Sequence, residues 1–257
     1  MEACFLTRPG RRLFAVYHPP ARPARSGAVL LCPPIGREQH RAARAWGTLA
    51  QQLAASGLAT LRYDPSGCGD SAGDWREWSL ARWGEDALAA AEELRTASAA
   101  ERLILFGLGV GAVVATQAAL GCGAHGVIAW NPLVDGEARI ARWLAEDREW
   151  RRDHGLPAAR RNSDGSRELL GFRHPAALLD ELRALPVRLA ATVPHLLIEN
   201  DGSGAAARLA RSAPSQAQLL VLPTDPRWTG VGDLFQATPL PARIFDAAAG
   251  FIAEAGG

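Results

Sequence analysis

Short, largely apolar runs alternate along the chain with longer stretches in which apolar residues recur every three or four positions. The runs at Gly27–Cys32, 58–63, 102–106, Gly126–Trp130 and His195–Glu199 are bounded by Gly, Pro, Asn and Asp, the pattern of strands buried on both faces. Helical spacing covers 41–56, 80–95 and the Ala-rich segment that follows Gly111. This alternation predicts an α/β fold, a mostly parallel central sheet with helices on both faces. Two β-type runs, 3–7 and 12–17, flank Pro9-Gly10 and add an opening hairpin. A short Ala-rich helix after 199, a last strand over 218–222 and a helix from about 241 to 255 complete the series.

From Gly136 to about Leu185 the rhythm changes to Arg- and Glu-rich helical sequence with Trp143 and Trp150, broken by a polar stretch over 160–166. It reads as a helical cap inserted into the core. The chain then divides into a core segment 1–135, a cap 136–190 and a second core segment 191–257.

Composition narrows the function classes. With 48% hydrophobic residues in 257, the chain can bury a full core, and no apolar run is long enough to span a bilayer. A formal net charge of +1, from 28 basic and 27 acidic residues, gives no global field to recruit nucleic acid. Every basic side chain is Arg, so Schiff-base chemistry is excluded. Cys4, Cys32, Cys68 and Cys122 form no C-x-x-C pair, metal spacing or secreted framework, so they read as reduced thiols, with no metal and no cofactor expected. The first residues show no basic region followed by an apolar stretch, so the expected compartment is the cytoplasm.

The chemistry concentrates at Gly107-Leu108-Gly109-Val110-Gly111, between an apolar strand and an apolar helix. In the catalytic motif G-x-S-x-G, small flanking residues allow a sharp strand-to-helix turn that lifts a serine oxygen above the sheet edge. Here the flanking glycines are present, and Gly109 stands at the nucleophile position.

Taken in order, Cys32-Pro33-Pro34-Ile35-Gly36, then Tyr63-Asp64-x-x-Gly67-x-Gly69-x-Ser71-x-Gly73, then Gly107-x-Gly109-x-Gly111, the chain resembles the α/β-hydrolase superfamily. Three segments are similar to its serine aminopeptidase-like branch, in particular to hydrolase-like proteins encoded with bacterial exosortase A systems. They are Leu13 to Pro20, Gly67 to Asp74 and Trp130 to Gly136. The resemblance implies a triad in chain order Ser, Asp, His. Asp201 matches the acid position. The base position falls in Pro223-Thr224-Asp225-Pro226-Arg227-Trp228, and no histidine occurs beyond His195. Because serine needs an adjacent base to become a nucleophile, ordinary serine-hydrolase turnover is not expected. Oxyanion donors implied by the same match are the backbone N–H groups of Val110 and of Ile35, with Gly36 behind it, since Pro33 and Pro34 have no N–H.

The expected function is therefore that of a protein with a degenerate triad, acting in a bacterial biosynthetic or export pathway. It would bind or transform an ester-, thioester- or carbonyl-bearing small molecule, free or carrier-linked, without an acyl-serine intermediate. Two alternatives stand beside it. One is an active hydrolase or thioesterase with a relocated nucleophile, Cys68 in an exposed turn or a water, and a cap histidine, His154 or His174, as base. The other is a non-catalytic partner of an active homologue; a homodimer is also open. Gly107-x-Gly109-x-x-Ala112 matches a dinucleotide fingerprint too, but no acidic residue ends the next strand. Trp143 and Trp228, with Trp75 and Trp78, are candidates to line an apolar pocket mouth. The cap arginines, Arg139, Arg142, Arg148, Arg151, Arg152, Arg160 and Arg161, have acidic neighbours and read as a solvated, self-neutralising face.

Overall fold

The computed structural model describes residues 1–8, 10–21, 27–159, 162–185, 189, 192–213, 215–224 and 240–255. An N-terminal hairpin of β1 (Glu2–Arg8) and β2 (Arg11–His18) precedes β3 (Gly27–Cys32), α1 (Gly36–Ala55) and β4 (Ala59–Tyr63). A single 3₁₀ turn, Trp75–Glu77, leads into α2 (Leu80–Ser98), β5 (Arg102–Leu108), α3 (Val110–Gly121) and β6 (Gly126–Trp130). The insertion consists of α4 (Gly136–Asp153), a small hairpin of β7 (Arg167–Leu169) and β8 (Phe172–His174), and α5 (Ala176–Arg183). The core then resumes with β9 (His195–Glu199), α6 (Ala205–Ser212), β10 (Ala217–Val221) and α7 (Ala242–Glu254).

Eight strands form one sheet in the order β1-β2-β4-β3-β5-β6-β9-β10. Every pairing from β4 onward is parallel, while β1 and β2 pair antiparallel with each other and β2 with β4. The period of two along β3 shows why its run is apolar throughout. Ala28, Leu30 and Cys32 pack with α2 and α3 on one face, whereas Val29 and Leu31 meet α1 and α7 on the other.

Strand order reverses at β3, which has β4 on one side and β5 on the other. At such a switch point the loops leaving neighbouring strands diverge to opposite faces and open a crevice at the carboxyl edge. The turn at Gly109 and the loop at Ile35 both leave from that edge, since Cys32 and Gly107 are register partners.

The insertion is packed onto this edge. Ile140, Trp143, Leu169, Leu178 and Leu182 join the same apolar cluster as Leu30 and Leu105. Its two helices touch at Gly136, where any Cβ would run into the Leu182 carbonyl. Among the described residues, no helix is long and apolar enough to cross a membrane, and no cluster of His, Cys, Asp and Glu is arranged to hold a metal ion.

Candidate active site

Strand β5 turns into α3 through Gly109, at φ 59° and ψ −118°. That conformation favours glycine, and the turn is held by the Gly109 N–H donating to the Trp130 carbonyl at 3.0 Å. Gly111 is equally constrained, because a Cβ there would run into the carbonyls of Cys32 and Pro33. The helix therefore starts hard against the end of β3. Neither α3 nor α1 has a side-chain cap, so the uncapped N-termini of two helices meet at one sheet edge.

A carboxylate occupies the space in front of Gly109. A Cβ built on Gly109 would lie 2.5 Å from Oε2 of Glu38, in the first turn of α1, and 3.8 Å from Nη2 of Arg139 on α4. Glu38 Oε1 forms an ion pair with Arg139 at 2.7 Å. Oε2 is buried without a hydrogen-bond partner among the described residues. Sequence reasoning missed Glu38: the polar run Arg37-Glu38-Gln39-His40 conceals a helix start that lies at Gly36, not 41. The one available signal was an acidic residue in a first helical turn, where the N-terminal dipole favours it.

A pocket of about 460 Å³, open mouth included, surrounds this carboxylate. Its wall carries six charged side chains, Arg37, Glu38, Arg41, Arg139, Arg142 and Glu146. The expectation of an apolar pocket and of a fully solvated arginine face on the cap is corrected here. Arg139 and Arg142 are three residues apart, so they project from one side of α4, and that side is turned inward over the sheet edge. Glu146 accepts from Arg142 at 3.0 Å and from Arg37 at 3.3 Å. Arg148 and Arg152 lie on exposed positions, as expected for a solvated helix, and Arg160 and Arg161 fall outside the described residues.

Asp201 follows β9 and is largely buried, with Oδ1 accepting from the Ser203 N–H at 3.1 Å and Oδ2 3.7 Å from Arg142 Nη1. It lines a neighbouring cavity that shares Arg139 and Arg142 with the first. Two guanidiniums of α4 thus span the distance between the Gly109 turn and Asp201. Ile35 is the N-cap of α1 and lines the pocket, Gly36 follows it at φ 56°, and Val110 is the first residue of α3.

Of the other candidates, His174 reaches the pocket and His154 does not. His174 is buried between Trp143 and Trp78, with ring centroids 5.4 and 5.9 Å away. Its Nδ1 lies 3.0 Å from the Phe172 carbonyl and donates to it, so Nε2 is the unprotonated nitrogen, directed toward Gly36. Burial lowers its pKa to about 4, which keeps the ring neutral. His154 is exposed and stacks on Trp150.

Cys68, read from sequence as exposed, is buried, and burial raises its thiol far above the range in which a thiolate forms. Cys32 is likewise buried and pushed up to about 12. Trp143 lines the pocket, Trp78 is buried with its Nε1 donating to the Gly67 carbonyl, and Trp228 lies outside the described residues. A dinucleotide reading of the Gly107 segment meets the Glu38 carboxylate where a pyrophosphate would sit, and like charges repel there.

The profile of the family described as serine aminopeptidase, S33, matches residues 23–170, more than half of the chain. Among solved structures, the fold is similar to Est1E from Butyrivibrio proteoclasticus bound to ferulic acid, at 16% identity, TM-score 0.66 and 98% coverage of both chains. It is also similar to a hypothetical protein from Pseudomonas aeruginosa, at 20% identity and TM-score 0.67, covering 98% of this chain and 92% of that one. A third is a member of the a/b serine hydrolases without lid from Xanthomonas campestris, at 18% identity and TM-score 0.59, covering 99% and 92%. At these identities the likeness is one of fold. No protein with a curated description matches by sequence.

Proposed function

The chain belongs to the serine aminopeptidase, S33, family of α/β hydrolases, and on that premise we propose that it handles an ester-, thioester- or other carbonyl-bearing small molecule without forming an acyl-serine. The observation that carries this reading is the Glu38 carboxylate standing 2.5 Å from the place of a side chain on Gly109. A nucleophile is absent from that position in the sequence, and an anion sits where one would act. The arrangement between Gly109 and Asp201 supports the same reading. In a serine hydrolase a neutral imidazole must accept the nucleophile's proton there. Here the span holds Arg139 and Arg142, and a guanidinium has no acceptor and does not deprotonate in a protein.

The ligand binds in the pocket under α4, its acyl part against Ile35, Trp143 and Leu169, and its polar part among the guanidiniums. The resemblance of the sequence to biosynthetic hydrolase-like proteins supports a ligand drawn from a bacterial biosynthetic or export pathway. Two measurements on the full chain test the proposal. Acyl thioesters are expected to raise the melting temperature and to change the fluorescence of Trp143. Acid-quenching the protein during exposure to acyl esters is expected to give an unmodified intact mass. A covalent acyl adduct on serine, or no effect of any acyl compound on melting or fluorescence, would defeat it.

A further inference from the structure

We infer that Glu38 is the catalytic base of this site, delivering a water molecule to an acyl carbon seated at the Gly109 turn. This rests on the reading that no serine is acylated, but its ground is separate. Oε2 of Glu38 is buried with no hydrogen-bond partner among the described residues. A buried carboxylate oxygen with no donor is costly, so its position calls for a proton-bearing group, and water is the smallest such group. That oxygen lies close to where a nucleophilic hydroxyl would project from residue 109. Arg139 holds the other oxygen at 2.7 Å, which fixes the rotation of the carboxylate and leaves Oε2 directed at the turn. Charge developing on a carbonyl oxygen at this edge faces the N-termini of α1 and α3.

In the step itself the water oxygen adds to the acyl carbon while one water proton passes to Glu38 Oε2. The tetrahedral adduct then expels an alcohol or thiol, which takes that proton from Glu38. One acyl–oxygen or acyl–sulfur bond is broken, one bond to the water oxygen is made, and the carboxylate is restored with only water consumed. A carboxylate is a weaker base than imidazole and activates the water less, so the acyl carbon must already be electrophilic and carry a good leaving group. Aryl esters and thioesters meet that condition. Peptide amides do not, which separates this site from the peptidase activity in the family's name.

The test uses the full chain with p-nitrophenyl butyrate, the butyryl thioester of N-acetylcysteamine and, as the amide, leucine p-nitroanilide. Hydrolysis of the first two and not of the third is expected. Glu38→Gln is expected to lower kcat/KM by about 10²–10⁴-fold, the range for loss of a general base. Glu38→Asp keeps a carboxylate on a shorter arm and is expected to fall between the two, which guards against a Gln variant that fails to fold. In a single turnover in ¹⁸O-water the label is expected in the product acid and not in the peptide containing Glu38. Full activity in Glu38→Gln, label in that peptide, equal loss in the Gln and Asp variants, or no hydrolysis of either ester class would each overturn Glu38 as base. None of these results puts an acyl group on serine, so the loss of this inference is distinguishable from the loss of the reading beneath it.

Discussion

At position 109 a glycine is coupled to a residue far away in sequence. Glycine there does two things: it takes up a positive φ without strain, and it leaves the volume that Glu38 enters. Gly109→Ser is therefore expected to expel Glu38 Oε2 from the turn and so to disturb the ion pair of Oε1 with Arg139. It should lower stability by about 1–3 kcal/mol through the left-handed backbone and the displaced ion pair. Denaturant unfolding measures that loss. The same variant is expected to show no serine esterase activity, because no histidine follows the last strand. The glycine itself was legible in the sequence, since the strand, turn and helix around it are unmistakable. Its partner was not: contact between residues 38 and 109 is a product of the β3–β5 pairing, and no local pattern encodes it.

Among the elements, α4 decides the character of the pocket. Its sequence places acids four residues from arginines, the spacing of a solvated helix, and Arg151 does pair with Asp147 at that spacing, but Asp147 is buried and its other oxygen accepts from the Leu170 N–H. Yet the face bearing Ile140 and Trp143 is buried, and Arg139 and Arg142 flank it, so packing of the apolar stripe carries both guanidiniums into the site. Arg139→Met would leave the Glu38 carboxylate unpaired. A stability loss of about 1–2 kcal/mol is expected, less than for a fully buried pair because Glu38 is 28% exposed. Arg148→Met, on an exposed position, should stay within about 0.5 kcal/mol of wild type in the same thermal melts. Hairpin β7–β8 contributes His174, whose folded pKa of about 4 lies below the ordinary 6.5. As pH falls the unfolded chain takes up this proton first, so the stability linked to His174 is full above about pH 6.5. It is lost progressively toward pH 4, by about 3 kcal/mol. His174→Asn is expected to flatten that part of the stability curve. A variant as steep as wild type between pH 6.5 and 4 would show that the ring is not desolvated.

Over the whole molecule, the sequence rhythm was sufficient for the architecture because its strands are buried on both faces. Gly27–Cys32 and Gly126–Trp130 are apolar without a break, His195–Glu199 holds three apolar residues between a buried His and a buried Glu, and such runs are bounded sharply by the Pro, Asn and Asp that follow them. Helix starts were less legible wherever first turns are polar, as at Gly36. The site was half legible for a related reason. Backbone geometry at Gly109 and Gly111 is written into residue type, whereas the charged wall depends on which face of an inserted helix meets the sheet. Under the proposed function, a carboxylate from across the strand pair stands where a serine hydrolase carries a hydroxyl on this turn. Intact-mass spectrometry after exposure to a fluorophosphonate reports directly on whether any serine of the chain is activated. The wild-type mass is predicted to stay unchanged under conditions that fully label a conventional serine hydrolase, and a stoichiometric phosphonyl adduct mapped to a serine would contradict it.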